Sequence, residues 1–228
     1  MLDNGLRQFK DSLFYPIAAH LPSSLSPNHI TLLAFLIGLA SCLAAALSHF
    51  WMALAFWSLN RALDCLDGAF ARRQGKSSEL GGFLDLLGDF IVYSLIPVSV
   101  TLGRGRVEVQ ALEWMAVAVL EASFHINNFI LFYIAAVAAK KDGDHGDGRA
   151  GVGRKRVLLT SVMMRPALVE GFEAGAFFTA MIIFPEWMTV LSWVMSAAVG
   201  VGIMQRIIWV VPVLLELDVG TEKGRGIN

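Results

Sequence analysis

Apolar positions run along this chain in six blocks, each long enough for a helix that crosses a bilayer, which takes roughly 20 residues. The blocks are approximately Ile30–His49, Trp51–Arg72, Leu80–Leu102, Leu112–Ala139, Arg165–Phe184 and Trp187–Leu215. Ahead of them, Leu6, Phe9, Leu13, Phe14 and Ile17 recur at helical spacing among Arg7, Lys10 and Asp11. That pattern predicts an amphipathic helix lying along the membrane surface. Ser26-Pro27-Asn28 predicts the start of the next helix, because proline fits the first turn. The expected fold is all-α, a bundle of six transmembrane helices preceded by an N-terminal interfacial helix over residues 1–25. Residues 1–228 read as a single membrane domain without internal repeats, with a polar loop over 140–156 and a flexible tail over 217–228.

Composition agrees with this pattern. The 228 residues are 56% hydrophobic and only 16% charged, where a soluble domain carries about a quarter charged residues. A formal net charge of -1 leaves no basic surplus for phosphates and argues against a nucleic-acid partner. Cys42 and Cys65 both fall in apolar blocks and read as buried thiols. Residues 1 to 25 lack a compact apolar core followed by a small-residue cleavage site, so insertion is expected to be directed by the spans themselves. With six spans, thirteen Lys and Arg residues collect on the side of the termini and even-numbered loops, and only Arg104 and Arg106 on the other. This bias predicts both termini in the cytoplasm.

The second block is unusual, because Asn60, Arg61, Asp64 and Asp67 occupy its far half. Asp64 and Asp67 are three apart, and Asp85 and Asp89 four apart, so each pair shares a helix face. A short turn between them makes the two helices antiparallel neighbours, and both pairs then converge near the cytoplasmic end. A lone Asp near the bilayer centre costs about 2.5–3.5 kcal/mol, and four together also repel, so a cation must offset them. Carboxylates without His or Cys form an all-oxygen site suited to hard divalent cations. Two metal ions are a recurrent device for displacement at phosphorus. Small residues line the same faces, and Arg72 adds a positive fork suited to phosphate. Any one of these aspartates alone reads equally well as a packing or pairing residue; all four at these spacings do not.

Asp64-x-x-Asp67-Gly68-x-x-Ala71-Arg72, eight residues, then Gly81-x-x-x-Asp85-x-x-x-Asp89 resembles the signature of the CDP-alcohol phosphatidyltransferase family at every fixed position. The six-span layout with an interfacial helix is similar too. The resemblance implies that Asp64, Asp67, Asp85 and Asp89 bind two divalent ions, Mg²⁺ or Mn²⁺, and that Asp89 is also the general base. It implies that Asn28, Thr31, Gly68, Ala71, Arg72, Ser78 and Gly81 contact the CDP part of the donor. It further implies transfer of a phosphatidyl group from CDP-diacylglycerol to a polar alcohol with release of CMP, in phospholipid biosynthesis, by a homodimer; the Lys and Arg bias predicts that the site faces the cytoplasm. Family members that use glycerol phosphate commonly carry an Arg soon after the threonine of span one, whereas Thr31 is followed by Leu32, Leu33 and Ala34. Inositol, inositol phosphate and serine remain candidate acceptors.

Other charged positions carry two readings each. Arg61 either serves the chemistry or pairs with a carboxylate. Arg165, Arg206 and Glu170 are candidates for an acceptor or a lipid phosphate, though Arg165 can snorkel and Arg206 can pair with another helix. His125, Asn127 and Asn128 read best as interhelical hydrogen-bonding groups. The rival functions are a CDP-choline or CDP-ethanolamine phosphotransferase acting on diacylglycerol, a divalent-cation transporter, and a non-catalytic lipid-binding relative. Transport would require polar residues opening toward both faces, and the aspartates cluster toward one.

Overall fold

The computed structural model describes residues 13–22, 24–105, 111–144 and 171–225. Every regular element among them is helical: α1 (13–20), α2 (Pro27–Ala46), α3 (Phe50–Gln74), α4 (Glu79–Arg104), α5 (Ala111–Asp144), α6 (Gly171–Ile183) and α7 (Met188–Arg225), with one 3₁₀ turn at Pro185–Trp187. Pro27 occupies the first turn of α2, as expected. Among the described residues, four helical stretches are long and apolar enough to cross a membrane: Pro27–Ala46, Glu79–Arg104, Ala111–Ala136 and Pro185–Pro212. The protein is an integral membrane protein. Helix α3 has the length, 25 residues, but its charged second half takes it out of the purely apolar class. The described part of the fifth predicted span is the 13-residue α6. Leu2, Leu6, Arg7, Phe9, Lys10, Asp11, Arg165 and Glu170 lie outside the described residues, as does most of the predicted 140–156 loop.

The fold divides into two units. In the first, α2 packs against both α3 and α4, and small residues allow the close approach. A Cβ on Gly38 would stand 2.7 Å from a Val92 methyl, and one on Gly103 only 2.0 Å from the Ala45 carbonyl oxygen. Side chains tie the same seams. Ser41 donates to the Ala53 carbonyl at 2.8 Å, Asn60 to the Ala34 carbonyl at 2.7 Å, and Ser48 to the Gly103 carbonyl at 2.7 Å. Such bonds satisfy polar groups that lipid cannot. Large side chains such as Leu32, Leu43, Phe83 and Leu102 remain more than half exposed, as expected of faces turned to hydrocarbon rather than water.

In α1, Ala18 is fully buried against Ile30 and Phe70, while Leu13 and Ile17 are exposed. In the second unit, Arg206 of α7 donates to Asn127 of α5. The bond is interhelical, the use expected of Asn127 and one of the two readings open to Arg206.

Candidate active site

The α3–α4 hairpin builds the site locally. Gly75 ends α3 in the left-handed conformation, at φ 63°, which glycine adopts without the Cβ penalty. The Lys76 N–H returns to the Ala71 carbonyl at 3.0 Å and the Gly75 N–H to that of Arg72 at 3.2 Å. Three residues later Ser78 caps α4, its hydroxyl oxygen accepting the Gly81 N–H at 3.0 Å. With the turn so short, α4 must run back along α3, and both carboxylate pairs face the same seam. Losing this cap in Ser78→Ala is expected to cost about 1 kcal/mol, read as a lower melting temperature of the detergent-purified protein.

Across the seam the Asp64 and Asp85 carboxyl groups come within hydrogen-bonding reach. Asp67 is buried, 4% exposed, next to the Thr31 hydroxyl of α2. That hydroxyl also donates to the Pro27 carbonyl at 3.2 Å. Asp67 Oδ2 is buried without a hydrogen-bond partner among the described residues, a costly position for a carboxylate oxygen unless a cation meets it. Asp89 is held by Arg61, with Nη2 to Oδ1 at 2.6 Å and Nη1 to Oδ2 at 3.3 Å. The same guanidinium lies 3.8 Å from Asp64 Oδ2, so Arg61 does pair with carboxylates. Among the described residues no three acidic, His or Cys side chains close on one point tightly enough to make a finished cation cage. The four carboxylates are instead spread around Arg61 and Thr31.

The residues expected to contact the donor fall into two groups beside this seam. Around Gly81, a Cβ would lie 3.1 Å from both Asn28 Oδ1 and Ser78 Oγ, so α2, the cap and α4 meet there. Around Gly68, a Cβ would lie 3.1 Å from Arg72 Nη1, so the guanidinium folds back over bare helix. Ala71 is half-buried on the same stretch of α3. Arg206 lies in the second unit with Asn127, while Arg165 and Glu170 are not described.

Four participants escape a reading of the sequence for motifs. Tyr93 accepts no special spacing rule, yet it continues the face Asp85, Asp89 by four more residues, and its hydroxyl receives Arg61 Nη1 at 2.7 Å. Trp57 lies four before Arg61 and stacks on it, 4.8 Å from the Cζ to the ring centroid. The same i, i+4 rule applied one turn further would have found both. Thr179, which accepts the Trp57 indole N–H at 2.9 Å, and Phe178, edge-on to Trp57, come from α6 and leave no local signal.

The profile of the CDP-alcohol phosphatidyltransferase family matches residues 24–204, which include every residue of the α3–α4 seam and its surroundings just described; Arg206 and the rest of α7 lie beyond it. The chain is 32% identical over 188 residues to the inner membrane protein YnjF of Escherichia coli, covering 82% of this chain and 84% of that protein. It is 25% identical to the phosphatidylcholine synthase of Bradyrhizobium diazoefficiens, over 96% of this chain and 80% of that one. Among solved structures, the phosphatidylinositol phosphate synthase PgsA1 of Mycobacterium tuberculosis with CDP-DAG bound shares the fold at a TM-score of 0.63. That match has 18% identity and covers 86% of this chain and 92% of the other. The same enzyme in complex with manganese and citrate matches at 0.56, with 22% identity over 85% and 87% of the two chains.

Proposed function

Because the chain belongs to the CDP-alcohol phosphatidyltransferase family, we propose that it transfers the phosphatidyl group of CDP-diacylglycerol to the hydroxyl of a polar alcohol, releasing CMP. The observation that carries this reading is the facing of Asp64 and Asp67 with Asp85 and Asp89 across one seam, flanked by the Arg72–Gly68 and Asn28–Ser78–Gly81 groups. A relative of the same fold with CDP-DAG bound supports the choice of donor.

The four aspartates would hold two divalent ions, Mg²⁺ or Mn²⁺. Their donor set is all oxygen, and the partnerless buried Asp67 Oδ2 fits such a role. When bound, the ions neutralise charge on the pyrophosphate and on the departing CMP. The protein's own residues do the rest. Arg72 grips phosphate over Gly68, while Asn28, Thr31, Ala71, Ser78 and Gly81 seat the cytidine diphosphate. Asp89 takes the proton of the acceptor hydroxyl. The acceptor oxygen bonds to the β-phosphorus as the bond from that phosphorus to the CMP oxygen breaks, and CMP leaves with the electron pair. Six spans, an interfacial α1, termini and site on the cytoplasmic side, and a homodimer complete the reading.

The test incubates purified protein and Mg²⁺ with labelled CDP-diacylglycerol and a panel of inositol, inositol phosphate, serine, glycerol phosphate and choline. CMP release is expected with one class of alcohol, lost with EDTA and restored by Mg²⁺ or Mn²⁺. No CMP with any alcohol, nor from CDP-choline or CDP-ethanolamine with diacylglycerol, would overturn the enzymatic reading of this site.

A further inference from the structure

Arg61 is more tightly fixed than an arginine that reaches for substrate. Its Nε–H goes to Asn60 Oδ1 at 2.8 Å, its Nη1 to Tyr93 and Asp89, and its Nη2 to Asp89. Its Cζ also lies 4.8 Å from the Trp57 ring centroid and 5.0 Å from that of Tyr93, two rings that meet edge to face 5.9 Å apart. The holders are themselves anchored to different helices. Asn60 is bonded to the Ala34 carbonyl of α2, and Trp57 to Thr179 of α6. With four of its five N–H bonds already directed at named acceptors, Arg61 has little left to offer a phosphate. What it does control is Asp89, both of whose oxygens it engages.

We propose that Arg61 is a positioning residue for Asp89, fixing the orientation of that carboxylate for proton transfer and competing with divalent cations for it. This rests on the reading of Asp89 given above. A bidentate guanidinium sets the plane of a carboxylate in a way that a point charge cannot. A fixed unit charge a few ångströms from the cation site also opposes cation binding. The two effects act in opposite directions when Arg61 is replaced. Arg61→Gln should bind cation more tightly and yet turn over more slowly, a combination that general loosening of the fold does not produce.

The experiment measures Mn²⁺ binding to the detergent-purified full chain by electron paramagnetic resonance, alongside steady-state CMP release. For Arg61→Gln the Mn²⁺ affinity should rise about fivefold or more and kcat fall roughly tenfold or more, with donor KM within a factor of about two. Arg61→Lys keeps the charge and loses the fork. It should keep Mn²⁺ affinity near that of the wild type while kcat still falls about tenfold, and it carries the test alone if the glutamine variant does not fold. Saturable wild-type Mn²⁺ binding with unchanged or weaker affinity in Arg61→Gln, or wild-type kcat in Arg61→Lys, overturns the role of Arg61 and leaves the proposed reaction standing. Absence of saturable Mn²⁺ binding in the wild type overturns the metal reading itself, and this proposal with it.

Discussion

Replacing Asp89 by asparagine is expected to lower CMP release by about 10²–10⁴-fold, the usual span for loss of a general base. Folding should survive, because the amide is nearly isosteric and its oxygen can still accept from Arg61 Nη2, now 2.6 Å from Oδ1. CDP-diacylglycerol binding should survive in large part, since the residues proposed to seat the donor lie around Gly68 and Gly81. The informative measurement is therefore a split one, in which kcat collapses while donor affinity, read by equilibrium binding, moves by less than about tenfold. Turnover near that of the wild type would remove Asp89 from the base role. Loss of donor binding in proportion to turnover would assign it to holding the donor instead.

The second large effect concerns stability, at the other end of α4. A methyl group on Gly103 would be built 2.0 Å from the Ala45 carbonyl oxygen, and that neighbour is backbone. No side-chain rotation relieves such a contact, so α2 and α4 must separate. Separation also strains the bond from Ser48 to the Gly103 carbonyl. Gly103→Ala is expected to cost about 3 kcal/mol, at the upper end of the range for overpacking. For a chain of this length that is a fall of roughly 6–12 °C in the melting temperature, measurable by thermal unfolding in detergent. Gly82→Ala is the control, since nothing lies within 4 Å of a Cβ there, and its melting temperature should be almost unchanged.

Much of this architecture was legible from residue spacing. The helix start at Pro27 follows from local chemistry, since proline suits a first turn; the end at Gly75 went unread, the apolar block stopping at Arg72, although glycine suits a left-handed end. The convergence of the aspartates follows from i, i+3 and i, i+4 arithmetic joined by a short turn. Arg61 was visible but ambiguous. Its choice of partner depends on how α4 is rotated against α3, which no spacing within α3 can fix. The Trp57–Thr179 bond lay further out of reach, because α6 enters after more than a hundred intervening residues and its approach is decided by packing. The close contact at Gly103 was likewise hidden, since a glycine near a helix end reads first as a cap rather than as a place where two backbones touch.

The ion pair between Arg61 and Asp89 has a bearing on how the chain enters its membrane. Synthesis delivers α3 before α4, and with it Arg61, Asp64 and Asp67. Each such charge at mid-depth opposes insertion by about 2.5–3.5 kcal/mol. The closer of the two carboxylates that Arg61 meets, Asp89, follows 28 residues later on α4, beyond the tight Gly75 turn. Entry of α3 alone would leave Arg61 with only its longer contact to Asp64, whereas entry of α3 and α4 together as a hairpin would also supply Asp89. The pair proposed to orient the Asp89 carboxylate would thus also favour entry of these two helices as one hairpin during biogenesis.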